Sequence, residues 1–253
     1  MHVGRSHRVQ LRLPVQLDSA DRSRSFTGET IDLSRGGLSA RFQVEDSLPS
    51  IAWARIDAAA VGGGAIVCKA QRVWQGGLPG GETRANYRIL RIQPASRERL
   101  DQLIESAVRH LVADLGDLPL FGDADIRELE YLLTLGRVRE RAAGSSLYER
   151  GRYDAAGVYV VLDGRAAIEC GETTQVLGRG LAFGQWAEEG VEPHKEGAQA
   201  GGALRYLYLP ASFHPEVAVQ APGISGILRN ALGANPHSTA RRTARALGGQ
   251  IPS

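Results

Sequence analysis

The stretch "TIDLSRGGLSARF", residues 30–42, places an acid, a hydroxyl, an arginine and two glycines between two apolar runs. Asp32 and Ser34 lie two residues apart at a strand end, so both side chains should point to the same side of a sheet. Gly36 and Gly37 permit a positive φ and expose backbone N–H groups. The segment therefore predicts a tight turn between two strands, with polar groups that can hydrogen-bond a flat polar ligand.

Apolar and polar residues alternate on both sides of this turn, which is typical of half-buried strands. Clusters of Gly and Pro separate the alternating runs. Pro14 lies inside the first run and indicates an edge position or a bulge. The predicted strands cover residues 8–18, 26–34, 37–44, 51–57, 65–74 and 86–93. Six short strands in so short a segment indicate an antiparallel β-barrel.

Helical spacing follows the barrel. Residues 95–115 predict a long helix with Ser96 as its N-cap, which closes the first unit and leads into the second. The second unit has a predicted helix over 123–136, a hairpin over 158–170 turned at Asp163–Gly164, a strand over 203–210 and a short helix over 224–232. The predicted domains are thus a barrel (1–94), a connecting helix (95–117), a second domain (118–233) and a disordered basic tail (234–253).

The composition is that of an ordinary soluble chain, with 43% hydrophobic and 23% charged residues among 253. No run is long enough to span a membrane and no apolar signal core begins the chain, so a cytoplasmic location is expected. Cys68 and Cys170 are the only cysteines, which excludes a disulfide framework or a cysteine-rich zinc site. The histidines lack the spacing of a metal or nucleophile site, so no catalytic or metal-binding residue is predicted.

Charge is distributed unevenly along the chain. Residues 1–112 carry 16 basic and 11 acidic side chains, whereas residues 113–233 carry 11 and 17. Two segments of opposite charge indicate two domains with different partners, and the first would favour an anion. Attraction between the two domains themselves explains the charge pattern equally well.

The N-terminus carries arginines at positions 5, 8 and 12. Guanidinium groups hold phosphates bidentately and stack on purine faces. Together with the turn at Asp32, Ser34 and Gly37, they make the first 112 residues resemble a PilZ domain, the cyclic di-GMP receptor module of bacteria. Its signature combines an RxxxR motif with a later [DN]xSxxG, and the second motif matches here in full.

The resemblance implies a ligand site in which arginines wrap the phosphates and guanines of cyclic di-GMP and the turn contacts a guanine. Arg5 and Arg8 are expected to be the wrapping pair, and Arg12 is a third candidate because Arg8 and Arg12 satisfy RxxxR. Binding is expected to order residues 1–12 over the barrel. The full set of expected contacts is Arg5, Arg8, Arg12, Asp32, Ser34, Gly36 and Gly37.

Residues 118–233 resemble a cyclic-nucleotide-binding domain, through "YVVLDGRAAI" (159–168) and the segment "AFGQWAEEGVEPHKEGAQA" (182–200). The resemblance implies a β-roll with flanking helices. The phosphate-binding segment departs from the family: Gln185 replaces a glutamate, and His194 and Lys195 stand where an arginine is usual. A β-roll that serves dimerisation or partner binding is therefore expected, rather than one that binds cyclic AMP. The candidate cyclic nucleotide contacts are Phe183, Gly184, Gln185, His194 and Lys195.

The sequence as a whole indicates a bacterial second-messenger effector without enzymatic activity, metal or cofactor, whose ligand is cyclic di-GMP. The signal is expected to pass to an unknown protein partner by reorientation of the second domain through the helix at 95–115. The chain could form a homodimer, and neither a DNA-binding domain nor a membrane span is expected. Two alternatives remain: a ligand-free two-domain interaction or scaffold protein, and a dual sensor that also binds cyclic AMP.

Overall fold

The structure is a computed structural model and describes residues 7–44, 47–78, 80–186 and 193–234. The chain divides into two units, Met1–Arg109 and His110–Ser253. Arg5 and the predicted tail beyond residue 234 lie outside the described residues.

The first unit is a closed antiparallel β-barrel. Its strands join in the order β3-β2-β5-β6-β7-β4, and β4 pairs back onto β3, which closes a ring of six. The short β1 adds to β3 outside this ring. The elements are β1 (Arg8–Val9), β2 (Pro14–Ser19), β3 (Ser25–Ser34), β4 (Gly37–Phe42), β5 (Ile51–Asp57), β6 (Ala65–Gly77), β7 (Thr83–Ile92) and α1 (Pro94–Gly116).

The interior of the barrel follows from the two-residue period of its strands. On β2, Val15 and Leu17 are at most 2% exposed, whereas the alternating Gln16 and Asp18 are half-buried. Successive small core residues on β5 and β6, several of them alanines, suit the narrow space inside a six-stranded ring. The outward positions are therefore the ones that remain for a ligand.

The predicted strand over 8–18 is divided into β1 and β2, because the segment between them is hydrogen-bonded to a buried threonine. The Thr30 hydroxyl donates to the Leu11 carbonyl, and the Leu13 N–H donates to the Thr30 Oγ1 over 3.0 Å. Pro14 is the first residue of β2, a strand that lies between β3 and β5. The predicted edge position or bulge at Pro14 is therefore wrong, since the first residue of an inner strand also tolerates proline.

The long helix α1 is present, but its predicted N-cap is wrong. Ser96 lies inside the helix, and its buried hydroxyl accepts a 3.1 Å hydrogen bond from the Val67 N–H of β6. Pro94 occupies the first helical position instead, where its missing N–H has no consequence. Ser96 thus fixes the start of α1 to the barrel. In the part of the chain that the structure describes, no helix is long and apolar enough to cross a membrane.

The second unit is a roll of two four-stranded antiparallel sheets with flanking helices. The sheet orders are β13-β10-β15-β8 and β12-β11-β14-β9. The predicted mainly β fold class, a six-stranded barrel followed by a β-roll, is therefore confirmed. The elements are α2 (Ile126–Leu135), β8 (Arg137–Arg141), β9 (Ser146–Tyr148), β10 (Gly157–Asp163), β11 (Ala166–Cys170), β12 (Thr173–Leu177), β13 (Ala182–Gly184), β14 (Gly197–Ala200), β15 (Leu204–Pro210), α3 (His214–Gln220) and α4 (Pro222–Ala234).

The predicted hairpin at Asp163–Gly164 is wrong. β10 pairs with β13 and β15, whereas β11 pairs with β12 and β14, so the two strands belong to different sheets. Gly164 has a φ of +81°, and a Cβ there would lie 2.0 Å from the Ala203 carbonyl oxygen. An Asp-Gly pair correctly signals a sharp turn, but here the turn carries the chain from one sheet to the other.

Candidate functional site

The predicted turn joins β3 to β4 with Ser34 paired to Gly37, and the Ser34 hydroxyl donates to the Gly37 carbonyl over 3.2 Å. The expected positive φ is wrong, because neither Gly36 nor Gly37 is among the positive-φ glycines. Gly37 is required for space instead: a Cβ there would lie 2.3 Å from the Tyr87 carbonyl oxygen, whereas a Cβ at Gly36 would meet nothing within 4 Å.

Asp32 lies between two guanidinium groups on the outer face of the barrel. Its Oδ1 is 3.5 Å from the Arg8 Nε, and its Oδ2 is 3.7 Å from the Arg84 Nη2. Both separations exceed an ordinary hydrogen bond, so these are charge contacts that can be exchanged without breaking a short bond. We call Arg8, Asp32 and Arg84 the Asp32 cluster.

Strand β1 brings Arg8 to this cluster. Arg8 pairs with Ser34 and Val9 pairs with Leu33, so the backbone of β1 runs directly beside the turn. Val9 is 1% exposed and fixes this short strand to the barrel. The structure thus brings together Arg8, Asp32 and Ser34 of the predicted ligand site. Arg12 is exposed in the segment between β1 and β2.

Arg84 was missed by the sequence reasoning. It lies on β7, and its Nε donates to the Ser39 hydroxyl of β4 over 2.9 Å. β7 reaches the site only because it pairs with β4, which precedes it by more than 40 residues. The outward alternation of Arg84, Asn86 and Arg88 was the available signal, but nothing local to the sequence showed which strand would lie beside them.

The turn is also tied to α1 through Arg35. The Arg35 Nε lies 3.0 Å from Asp101 Oδ1, and its Nη2 lies 2.8 Å from Glu105 Oε1. In the opposite direction, Arg97 Nη1 donates to the Arg35 carbonyl over 2.6 Å. Three side chains of α1 therefore contact a single residue of the turn, a role that sequence analysis did not assign to Arg35.

Four of the five candidate cyclic nucleotide residues, all except Lys195, are buried in the second unit. Phe183 is buried against Tyr159, with ring centroids 5.0 Å apart and nearly parallel rings. Gly184 has a φ of +100°, and a Cβ there would lie 2.2 Å from the Gly157 carbonyl oxygen. Lys195 is exposed. Phe183 and Gly184 therefore serve the core and the close approach of two strands.

The side chains of Gln185 and His194 are hydrogen-bonded to each other in the interior of the second unit. Both are at most 6% exposed, and the Tyr148 ring stacks on the imidazole at 3.9 Å. The Asp154 carbonyl can only accept, so His194 Nε2 donates to it over 3.0 Å. His194 Nδ1 then accepts from the Gln185 amide at 3.3 Å. These polar groups are engaged with one another rather than presented to a nucleotide.

We expect His194 to make the second unit less stable in mild acid. Burial is the main cause that lowers the pKa of His194, although the Asp154 carbonyl and carboxylate act in the opposite direction. Because the unfolded chain takes up the proton near pH 6.5, stability is lost as the pH falls from about 6.5 through the folded pKa. Thermal unfolding of the full chain from pH 7.5 to 5 would measure this loss.

The matched variants are His194→Gln and, at an exposed histidine, His110→Gln. The first should show a shallower fall of the unfolding temperature with acid, and the second should follow the wild-type slope. The slopes are compared rather than the absolute temperatures, because His194→Gln also removes packing. Equal slopes in His194→Gln and wild type would contradict the prediction.

Nothing in the described residues suggests a metal site, or a reactive thiol at Cys68. They contain no group of three or more His, Cys, Asp or Glu residues placed to hold a metal ion. Burial raises the pKa of the Cys68 thiol to about 11, which leaves it protonated and a poor nucleophile at neutral pH.

Comparisons with solved structures found weak similarities. The chain is similar to the PilZ domain with c-di-GMP of YcgR from Escherichia coli, at 19% identity and a TM-score of 0.37, over 46% of this chain and 100% of that chain. It is similar to a putative cyclic nucleotide-binding protein from Geobacter metallireducens, at 15% identity and a TM-score of 0.41, over 55% of this chain and 98% of that chain. It is also similar to cAMP-bound PfPKA-R, at 13% identity and a TM-score of 0.45, over 97% of this chain and 74% of that chain.

The sequence itself gives a more specific match. No curated protein matches the chain. The family model of the PilZ domain matches residues 3–106. That range contains the barrel, the Asp32 cluster, the turn and the part of α1 that Arg35 contacts. The N-terminal unit of this chain therefore matches the PilZ domain family.

Proposed function

We propose that this protein is a cyclic di-GMP effector that binds the dinucleotide on the outer face of its N-terminal barrel. One observation carries the proposal: Arg8 and Asp32 lie 3.5 Å apart beside the turn that ends in Ser34 and Gly37. A cation for phosphate and an acceptor for a purine edge thus share one surface. The PilZ family match over the same residues supports the proposal.

Each residue of the site has a chemical role in the proposed complex. Arg8 would donate paired hydrogen bonds to a phosphate, a stronger interaction than a neutral hydrogen bond. Asp32 would accept from guanine N–H groups, and Ser34 would donate or accept at the same edge. Gly37 would let the strand backbone remain flat beside the ligand. Arg5 and Arg12 would add further positive charge.

The ligand would bind Asp32 by replacing an arginine that already contacts it. The Asp32 side chain is only 14% exposed, and its carboxylate already faces two guanidinium groups at 3.5 and 3.7 Å. A guanine presents planar N–H donors resembling those of a guanidinium, so the ligand can replace an arginine at Asp32 without leaving the carboxylate unpaired. The displaced arginine is then available for a phosphate. This exchange would limit the desolvation penalty of binding.

We further propose that the signal leaves the site through α1. Arg35 of the turn forms ion pairs with Asp101 and Glu105, and α1 continues to Gly116, beyond the division between the units at residues 109 and 110. Movement of the turn on binding would shift α1 and reorient the second domain towards a protein partner or a second copy of the chain. The protein would act in the cytoplasm as a receptor without enzymatic activity.

The second unit would serve as the output module. The hydrogen bond between Gln185 and His194 disfavours a dual sensor that also binds cyclic AMP. This hydrogen bond would have to break before either side chain could bind a nucleotide. The other alternative is a scaffold that binds no ligand, and a binding measurement must distinguish it from the proposed effector.

Calorimetric titration of the full-length protein with cyclic di-GMP, and in parallel with cyclic AMP, tests the proposed function. We expect saturable heat with cyclic di-GMP and none with cyclic AMP. Heat with neither ligand would favour the scaffold, and heat with both would favour the dual sensor. Titration at two salt concentrations adds a control, since binding through guanidinium–phosphate contacts should weaken as salt rises.

A further inference from the structure

A buried acceptor lies on the outer face of the barrel beside the Asp32 cluster. Asn86 of β7 points outward, because its neighbours Ala85 and Tyr87 are buried in the core. Its Oδ1 is shielded from solvent and has no hydrogen-bond partner among the residues that the structure describes. Such acceptors are uncommon in folded proteins, so each one calls for a physical explanation.

The strand register places Asn86 in one row with Asp32. Asp32 of β3 pairs with Ser39 of β4, and Ser39 pairs with Asn86 of β7. Neighbouring strands are about 4.8 Å apart, so the Cα atoms of Asp32 and Asn86 are separated by about 10 Å. Two acceptors therefore face the same surface, with the small side chain of Ser39 between them.

A planar N–H donor already occupies the middle of this row. Arg84 Nε donates to Ser39 over 2.9 Å, while its Nη2 lies 3.7 Å from Asp32 Oδ2. Because Ser39 is directly opposite Asn86, the Arg84 guanidinium lies against the row that Asp32, Ser39 and Asn86 form. When Arg84 moves away, Asn86 Oδ1 is left next to the position that the donor occupied.

The exocyclic amino group of guanine fits between these acceptors. Its two hydrogens diverge by about 120°, so acceptors at about 2.9 Å from the nitrogen would be about 5 Å apart. Side chains that extend towards each other across one intervening strand can reach that separation. Among the bases, guanine alone carries this N2 amino donor beside an N1–H donor.

We propose that Asn86 is a specificity residue for guanine. Its Oδ1 accepts one hydrogen of the N2 amino group, Asp32 accepts the other, and Arg84 leaves Ser39 to make room. This inference rests on the proposed binding of cyclic di-GMP and identifies the side chain that distinguishes its base. The released Arg84 remains beside the base, where it can donate to acceptor atoms of the ligand.

The test compares cyclic di-GMP with cyclic di-IMP, in which inosine lacks the N2 amino group. The full-length wild type should bind cyclic di-GMP at least tenfold more tightly than cyclic di-IMP, since two hydrogen bonds are lost. Asn86→Ala should reduce that preference about fivefold, through weaker binding of cyclic di-GMP and nearly unchanged binding of cyclic di-IMP. Asn86→Ser, whose hydroxyl is too short to reach, should behave in the same way and replaces the alanine variant if that one does not fold.

Gln175→Ala is the matched control. Gln175 Oε1 is a second buried amide oxygen without a partner among the described residues, but it lies on β12 of the other unit. Its removal should leave the base preference unchanged. A wild-type preference retained in both Asn86 variants overturns this inference alone, whereas a wild type that binds no cyclic di-GMP overturns the proposed function and this inference with it.

Discussion

Arg8→Ala is expected to weaken cyclic di-GMP binding about 100-fold, because it removes a pair of charge-assisted hydrogen bonds to phosphate worth about 3 kcal/mol. The loss should be larger than for other surface arginines, since Arg8 is already held beside Asp32 by strand pairing. Calorimetric titration of the full-length variant measures the effect directly.

Arg55→Ala is the control for Arg8→Ala. Arg55 is an exposed arginine on β5, the strand opposite β4 in the ring of six, and its removal changes net charge by the same amount. We expect its affinity to stay within about twofold of wild type, because exposed charges beyond a Debye length are screened. Equal affinity in Arg8→Ala and wild type would show that another arginine holds the phosphate.

Gly37→Ala is expected to destabilise the N-terminal unit by about 3 kcal/mol, equivalent to about 15 °C in unfolding temperature for a domain of this size. The added Cβ would lie 2.3 Å from the Tyr87 carbonyl oxygen, which is backbone and cannot rotate away. Relief requires β4 and β7 to separate at the turn. Thermal unfolding, with hydrogen exchange of the β4 amides, measures both the loss and its position.

Gly36→Ala, one residue away, provides the comparison. A Cβ at Gly36 meets nothing within 4 Å, and its φ lies outside the left-handed region. Its stability should therefore stay within about 0.5 kcal/mol of wild type or rise slightly, as is usual for a compatible glycine-to-alanine change. If the two variants unfold alike, the close approach at Gly37 is not what requires glycine in this turn.

The barrel could be predicted because its signals are local. Alternation within each strand and the turn residues between Ser34 and Gly37 suffice to predict six antiparallel strands. The division at 8–18 was missed because Thr30, a residue distant in sequence, bonds to Leu11 and Leu13. The prediction of a hairpin at Asp163–Gly164 was wrong for a related reason, since a dipeptide indicates a turn but not which sheets the flanking strands join.

The candidate site was predictable in part. The sequence motifs indicated Arg8, Asp32 and Ser34, which the structure places side by side, and their contacts with ligand stay predictions. Arg84 and Asn86 were missed because they reach the site only through the pairing of β7 with β4. No role was predicted for Arg35, since its partners on α1 lie 66 and 70 residues away and leave no periodic signal.

The anchoring of Val9 has a consequence for the thermodynamics of binding. The ligand was expected to order residues 1–12, yet β1 is paired with β3 and Val9 is buried as part of the barrel core. The backbone entropy of positioning Arg8 is therefore lost when the barrel folds rather than when the ligand arrives. Arg8 is a preorganised contact, so its share of the binding entropy should be small and its interaction should appear mainly as enthalpy.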